Sequence, residues 1–201
     1  MNICTWNIKG LNKPFKQKEL KIFLSKYKID VIGCVETRLK ERKAGRIIQK
    51  VAKDWNVCCN YKDHPNGRIW LMWRNNVNIQ IIETTYQYIH CKVRKDSFKS
   101  LLTVVYARNN VTLRHQLWNQ LAQAGTNVQD TWLLSGDFNN VLTSEDIIGA
   151  PVTQSETQGF QNLVNVLQLT PLKRKRNLDR NGKMESYRRT SITAEVKGHL
   201  D

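Results

Sequence analysis

The sequence predicts a mixed α/β protein, with two sheets packed face to face and helices on the outside. Three observations lead there. Strand–helix–strand units open the chain, hairpin signals fill its middle, and neither an internal repeat nor a low-complexity linker occurs before residue 170. The first strand is read over residues 2–8, ending at Asn7, with Gly10 turning the chain. Leu20, Phe23, Leu24 and Tyr27 then recur at helical spacing over residues 16–27, with lysines on the opposite face. Asp30–Glu36 reads as a second short buried strand that ends on a carboxylate, and residues 41–53 read as a helix.

His64-Pro65-Asn66-Gly67 marks a turn into a strand over Arg68–Arg74, and Asn75-Asn76 marks the next turn. Residues 77–90 and 101–106 continue as strands, and Leu113, Leu117, Trp118 and Leu121 mark a helix. The apolar run Trp132-Leu133-Leu134-Ser135 closes the strand Thr131–Ser135 and stops at Gly136-Asp137-Phe138-Asn139. Ser155 with Gln158 three residues on is a capping-box start for a helix that buries Phe160, Leu163, Val164 and Leu167. From residue 171 the character changes. Lys173-Arg174-Lys175-Arg176 opens a stretch poor in apolar residues, in which only Ile192–Val196 has the pattern of a strand. The expected organisation is one domain over residues 1–172 and a basic, poorly ordered tail over 173–201.

Of 201 residues, 40% are apolar and 24% charged, the composition of a globular chain, and six tryptophans supply core material. The formal charge is +15. An enzyme of small neutral metabolites has no use for such a charge; it suits a polyanion, nucleic acid before an anionic membrane. The five cysteines, Cys4, Cys34, Cys58, Cys59 and Cys91, are odd in number and contain no C-x-x-C pair. They read as reduced packing residues of a nuclear or cytoplasmic protein that is not secreted. No apolar run has the length of a membrane span, and the N-terminus lacks the layout of a signal peptide.

Three strands from distant parts of the chain end on polar groups: Asn7, Glu36, and Asp137 with Asn139. Each alone has a bland reading. Asn7 and Asn139 suit turns, Glu36 suits a solvated strand end, and Tyr106 suits an ordinary strand position. Together they suggest one shared rim. Carboxylate and amide oxygens suit a hard cation such as Mg²⁺, and the lack of a His/Cys cluster excludes a zinc site. His64, His90 and His115 have no motif around them and read as surface or packing residues.

Trp6-Asn7-Ile8-Lys9-Gly10-Leu11-Asn12, Val31–Arg38, Gly67-Arg68-Ile69-Trp70, Val105-Tyr106-Ala107 and Ser135–Asn139 stand in an order and spacing that resembles the endonuclease/exonuclease/phosphatase superfamily, which includes DNase I and the apurinic-site endonucleases. Within it the chain is most similar to the endonuclease domain of plant LINE-type (non-LTR) retrotransposons. The resemblance implies a four-layer α/β sandwich of the DNase I-like type and hydrolysis of phosphodiesters in nucleic acid, DNA before RNA, with Mg²⁺ or Mn²⁺, by a monomer. It implies that Glu36 binds the metal, that Asn7 helps hold the metal or the phosphate, and that Asp137 orients and deprotonates the attacking water. Asn139 would donate to the phosphoryl oxygen, and Tyr106 would contact the phosphate.

The resemblance fades after Leu172. The family closes on a Ser-Asp-His element, whereas His199 stands in Gly198-His199-Leu200-Asp201 with no Asp before it, and Leu178-Asp179-Arg180 stands too close to the preceding helix for the family's middle element. The expectation is therefore a sandwich incomplete at its C-terminus, a truncated or disrupted member with weak or lost activity. The alternatives are a noncatalytic nucleic-acid-binding remnant and a phosphatase of inositol phosphates or sphingolipids on the same fold.

Overall fold

A computed structural model describes residues 1–63, 66–126, 128–140, 154–171 and 191–196. The first sheet is built from β1 (Ile3–Asn7), β2 (Val31–Val35), β3 (Trp55–Cys59) and β4 (Ile69–Arg74), in the order β1-β2-β4-β3. β1 and β2 run parallel, joined through helix α1 (Pro14–Lys26); helix α2 (Glu41–Val51) follows β2. The second sheet contains β5 (Asn78–Thr84), β6 (Tyr88–Lys95), β7 (Phe98–Tyr106), β8 (Trp132–Asp137), β9 (Thr170–Pro171) and β10 (Ser191–Val196), in the order β5-β6-β7-β8-β10-β9. Here β7 and β8 run parallel, joined through α3 (Val111–Gly125), while α4 (Gln154–Val166) follows β8.

Three apolar clusters define four layers. α1 and α2 cover the outer face of the first sheet through Leu20, Leu24, Ala44 and Val51, which meet Ile32, Cys34, Trp70 and Met72. Val31, Val35, Ile69 and Leu71 meet Ile89, Cys91, Leu102 and Val104 between the sheets. α3 and α4 cover the second sheet through Leu117, Leu121, Phe160 and Leu163, which meet Leu134 and Val105. The result is the four-layer α/β sandwich expected from the sequence.

Several details differ from the sequence reading. The run 77–90 is two strands, because Tyr86 and Gln87 lie in the hairpin between β5 and β6, and β6 continues to Lys95. β3 is not visible in the sequence pattern: Trp55-Asn56-Val57-Cys58-Cys59 is half-buried at the edge of its sheet, and its two faces do not alternate cleanly between apolar and polar. Its adjacent cysteines divide between layers, Cys59 toward α1 and α2 and Cys58 into the inter-sheet core. All five cysteines are free thiols, and burial pushes those of Cys4, Cys59 and Cys91 up to about 12. They are packing residues, as read from their spacing. The one strand expected in the C-terminal stretch is present as β10, which pairs antiparallel with β8 from Ser191↔Asp137 to Val196↔Trp132. His64, Pro65, Lys173–Arg176, Leu178–Arg180 and His199 lie outside the described residues.

Gly33 of β2 faces Val104 of β7 across the gap between the two sheets. A Cβ at position 33 would stand 2.6 Å from Val104 Cγ1. Gly33→Ala should therefore destabilise by about 1–3 kcal/mol through overpacking. Val104→Ala in the same chain should recover part of that loss. Urea unfolding of the two single variants and the double variant measures both effects.

Candidate active site

The two parallel pairs decide where polar groups gather. Parallel strands finish at the same end of a sheet, so β1 and β2 deliver Asn7 and Glu36 together, and β7 and β8 deliver Tyr106 and Asp137 together. The registers agree: Asn7 stands opposite Val35, one residue before Glu36, and Tyr106 stands opposite Asp137. β4 is antiparallel to β2, with Val35 opposite Ile69, so Arg68, just before β4, stands at the same rim.

The sheets are bolted together at this rim by side chains. Thr5 Oγ1 lies 2.6 Å from Ser135 Oγ, and two residues further along each strand Asn7 Nδ2 donates to Asp137 Oδ2 at 2.6 Å. Strand alternation puts residues 3, 5 and 7 on one face of β1 and residues 133, 135 and 137 on one face of β8. The inter-sheet space thus passes from apolar (Ile3, Leu133) through hydroxyls to an amide and a carboxylate.

Asp137 is 2% exposed. A buried carboxylate is costly unless hydrogen bonds replace its water. Two donors do so: Asn7 Nδ2 on Oδ2, and the backbone N–H of Asn139 on Oδ1 at 3.0 Å. Among the described residues no cation pairs with it. Asn139 is held in turn, its Nδ2 donating to Ala107 O at 2.5 Å. Glu36 is buried at the end of β2, and its Oε1 is ion-paired with the Arg38 guanidinium, which is largely exposed. Tyr106 lies between the two carboxylates. Burial raises its phenol above the ordinary value, Glu36 adds to this and Arg68 opposes it, with lesser contributions from Asp137 and Arg38. The phenol is therefore protonated at neutral pH and can donate a hydrogen bond.

The backbone also turns sharply at this rim. Lys9, Glu36, Arg38 and Asn139 all have positive φ (52°, 58°, 51° and 45°). Each such residue costs roughly 1–3 kcal/mol, and such residues cluster where a side chain must be aimed rather than packed. A cavity of 680 Å³ opens beside Glu36 and Tyr106 and continues along Arg38, Arg68 and Arg108 to the first turn of α3.

All five residues singled out in the sequence, Asn7, Glu36, Tyr106, Asp137 and Asn139, stand on this one rim. Sequence reasoning passed over the arginines. Arg68 and Arg108 flank strand ends already in view, and that position was the available signal. His90 is buried in the second sheet, with Nδ1 2.7 Å from Thr103 Oγ1 and its ring edge-on to Trp132, and burial lowers its pKa. It and the exposed His115 of α3 are away from the rim, as packing and surface residues.

The model of the Endonuclease/Exonuclease/phosphatase family matches residues 4–190. The chain belongs to the endonuclease/exonuclease/phosphatase family. Solved structures with the same fold include a humanized D. rerio TDP2 carrying 14 mutations (17% identity, TM-score 0.63), with 99% of this chain and 83% of that chain covered. The endonuclease domain of TRAS1, a telomere-specific non-LTR retrotransposon, gives 12% identity and a TM-score of 0.64, with 96% and 83% covered. A β-hairpin deletion mutant of beta toxin from Staphylococcus aureus gives 10% identity and a TM-score of 0.62, with 100% and 88% covered. Comparison with curated proteins gave no match. In this family member, as in the sequence reading, no helix among the described residues is long and apolar enough to cross a membrane.

The backbone at Glu36 separates a structural role from a functional one. If Glu36 is there for chemistry, Glu36→Gly removes the carboxylate and also relieves its left-handed strain. The unfolding midpoint should then hold or rise. A loss above about 2 kcal/mol would mark Glu36 as a structural residue.

Proposed function

We propose that the rim is a metal-assisted phosphodiesterase site acting on nucleic acid, in the retrotransposon-endonuclease branch of the family and of the plant LINE type. The observation that carries this is Asp137: a carboxylate buried at a strand end, held by two N–H donors and paired with no cation among the described residues, facing a second carboxylate across a protonated tyrosine. A fold has little reason to bury a carboxylate without a cation beside a second one, whose ion-pair partner Arg38 is largely exposed, unless something positive or a water with a proton to lose comes between them.

The donors fit Mg²⁺ or Mn²⁺. They are all oxygens, from Glu36, Asp137 and the Asn7 amide, and a hard cation of this kind uses one or two carboxylates and keeps several waters. Among the described residues no group of three or more His, Cys, Asp and Glu side chains forms a complete cage, so a zinc-type centre does not fit. Bound there through Glu36 and Asn7, the cation would polarise the phosphoryl group. Asp137, fixed on both oxygens, would orient a water and take its proton. Tyr106 would donate to a phosphate oxygen, as would the Asn7 amide. Asn7 and Asn139 each already give one amide N–H within the rim, to Asp137 Oδ2 and to Ala107 O, which limits the share of both. The basic charge of +15 suits the polyanionic substrate.

The proposed activity is weak. No Asp-His pair occurs in residues 138–201, so these residues do not supply the charged donor that the family resemblance calls for at the phosphate. Losing such a donor costs about 3 kcal/mol or more, roughly a hundredfold. The same lack favours a second reading, a noncatalytic nucleic-acid binder. A plasmid-nicking assay separates the two. Slow Mg²⁺-dependent nicking that disappears in Asp137→Ala supports the proposal. Nicking indifferent to Asp137→Ala, or none at any Mg²⁺ or Mn²⁺ concentration, supports the binder. Brisk nicking abolished by Asp137→Ala would overturn the claim of weakness and make His199 the first candidate for the missing donor.

A further inference from the structure

Beside the proposed hydrolytic centre, the cavity extends along two arginines that the chemistry above does not use. Arg68 precedes β4 and Arg108 follows β7. Both are half-buried, and among the described residues neither guanidinium makes a hydrogen bond or an ion pair; both Nε atoms are buried without a partner. Arg38, on the same wall, is already committed to Glu36.

The protein nevertheless fixes these two arginines with unusual care. The Oδ1 of Asn60, fully buried, accepts from the backbone N–H of Arg68 and of Ile69, each at 2.9 Å. The Oε1 of Gln87, also fully buried, accepts from the backbone N–H of Arg108 at 2.8 Å, while its Nε2 donates to Leu113 O at 2.9 Å. The two amides are connected. Asn60 Nδ2 donates to Thr85 O at 3.0 Å, and Thr85 Oγ1 accepts from the Gln87 backbone N–H at 3.1 Å. A continuous hydrogen-bonded chain, Asn60–Thr85–Gln87, buried at both ends, therefore crosses from the first sheet to the β5–β6 hairpin of the second and links the anchors of the two arginines. The Arg108 guanidinium is steadied further by the Tyr86 ring, 5.7 Å away. Arg114 Nη1 holds the carbonyls of Arg108 and Asn109 at 3.3 and 2.7 Å, which keeps those acceptors occupied. Asn110 caps α3 by accepting from the Leu113 N–H, so the positive end of a fifteen-residue helix adds to the cavity wall.

Buried polar networks are expensive unless fully satisfied, and this one spaces two cations that pair with no anion among the described residues. We propose that Arg68 and Arg108 form a second phosphate subsite, which takes a phosphate of the same nucleic-acid strand next to the one at Asp137. The inference rests on the nucleic-acid reading of the rim, and it names what that rim recognises: a strand with at least two consecutive phosphodiesters rather than an isolated phosphate ester. Arg guanidinium groups suit this task, since each offers paired N–H donors to phosphate oxygens.

The test measures binding alone. A fluorescent single-stranded oligonucleotide is titrated with the full chain in EDTA across a salt series and followed by anisotropy; circular dichroism checks that each variant is folded. Arg68→Gln and Arg108→Gln should each weaken binding about tenfold and flatten the slope of log K against log salt by about 0.7. Arg108→Lys should keep the slope. Arg94→Gln, an exposed arginine of β6 at the opposite end of the sheet, removes the same charge and should change neither quantity appreciably. A methylphosphonate at one linkage of the oligonucleotide should weaken wild type but add little to Arg68→Gln/Arg108→Gln. The proposal is overturned if Arg94→Gln loses as much as the cavity variants, or if the cavity variants bind like wild type. No binding by wild type would overturn the nucleic-acid reading along with it. Binding that depends on Arg68 and Arg108 in a chain that never nicks plasmid would leave the subsite standing and remove only the hydrolytic reading.

Discussion

Two hydrogen bonds between β1 and β8, Thr5 to Ser135 and Asn7 to Asp137, carry the organisation of the molecule's functional end. They lie in the inter-sheet gap, whose interior is lined by apolar side chains, and they are the side-chain hydrogen bonds that join those two strands among the described residues. Apolar packing brings the sheets together but is indifferent to small slides. Directional bonds at 2.6 Å are not, so they fix the register of one sheet on the other. Because both strands end at this point, the position of Asp137 relative to Asn7 and Glu36 follows from sheet packing rather than from loop conformation. A site mounted in this way holds its geometry better than one carried by loops.

The same rim is where the structure departs from ease of folding. A carboxylate at 2% exposure, four of the six described non-glycine residues with positive φ, and two arginines whose guanidinium groups make no hydrogen bond or ion pair among the described residues all lie at or just beyond the ends of β1, β2, β7 and β8 or just before β4. Elsewhere the sandwich is conventional, with leucines, isoleucines and aromatics meeting in three layers. Local rules broken together at one end of an otherwise consistent fold mark the place where selection acted on something other than stability.

Much of this was legible in the sequence because strands carry a period of two. Ile3-x-Thr5-x-Asn7 and Leu133-x-Ser135-x-Asp137 each run from apolar to polar on one face, and the stop at a polar residue shows where each strand leaves the core. Glu36 could be read because it ends the run Val31–Val35, and Asn139 because it follows Asp137 by two residues; Tyr106 stands out only through the family resemblance of Val105-Tyr106-Ala107. What could not be read was pairing across long separations. Thr5 and Ser135 are ordinary residues until the sheets meet, and Asn60 and Gln87 look like loop amides although both are fully buried. Their role depends on a tertiary contact between β3's end and the β5–β6 hairpin, for which local pattern has no signal. β3 itself was missed for a related reason, since a half-buried edge strand has no clean alternation. The isolated strand Ile192–Val196 was legible, but its place between β8 and β9 is a matter of topology alone.

The central claim is that the ends of β1 and β2 hold a divalent cation beside the water-orienting carboxylate at the end of β8. Mn²⁺ binding followed by electron paramagnetic resonance, without substrate, addresses it most directly. The account predicts one bound Mn²⁺ per chain, displaced by Mg²⁺, with affinity falling about tenfold or more in Glu36→Gln, because the cation loses its one full carboxylate ligand there. Mn²⁺ binding that is absent from wild type, or equal in wild type and Glu36→Gln, would contradict it.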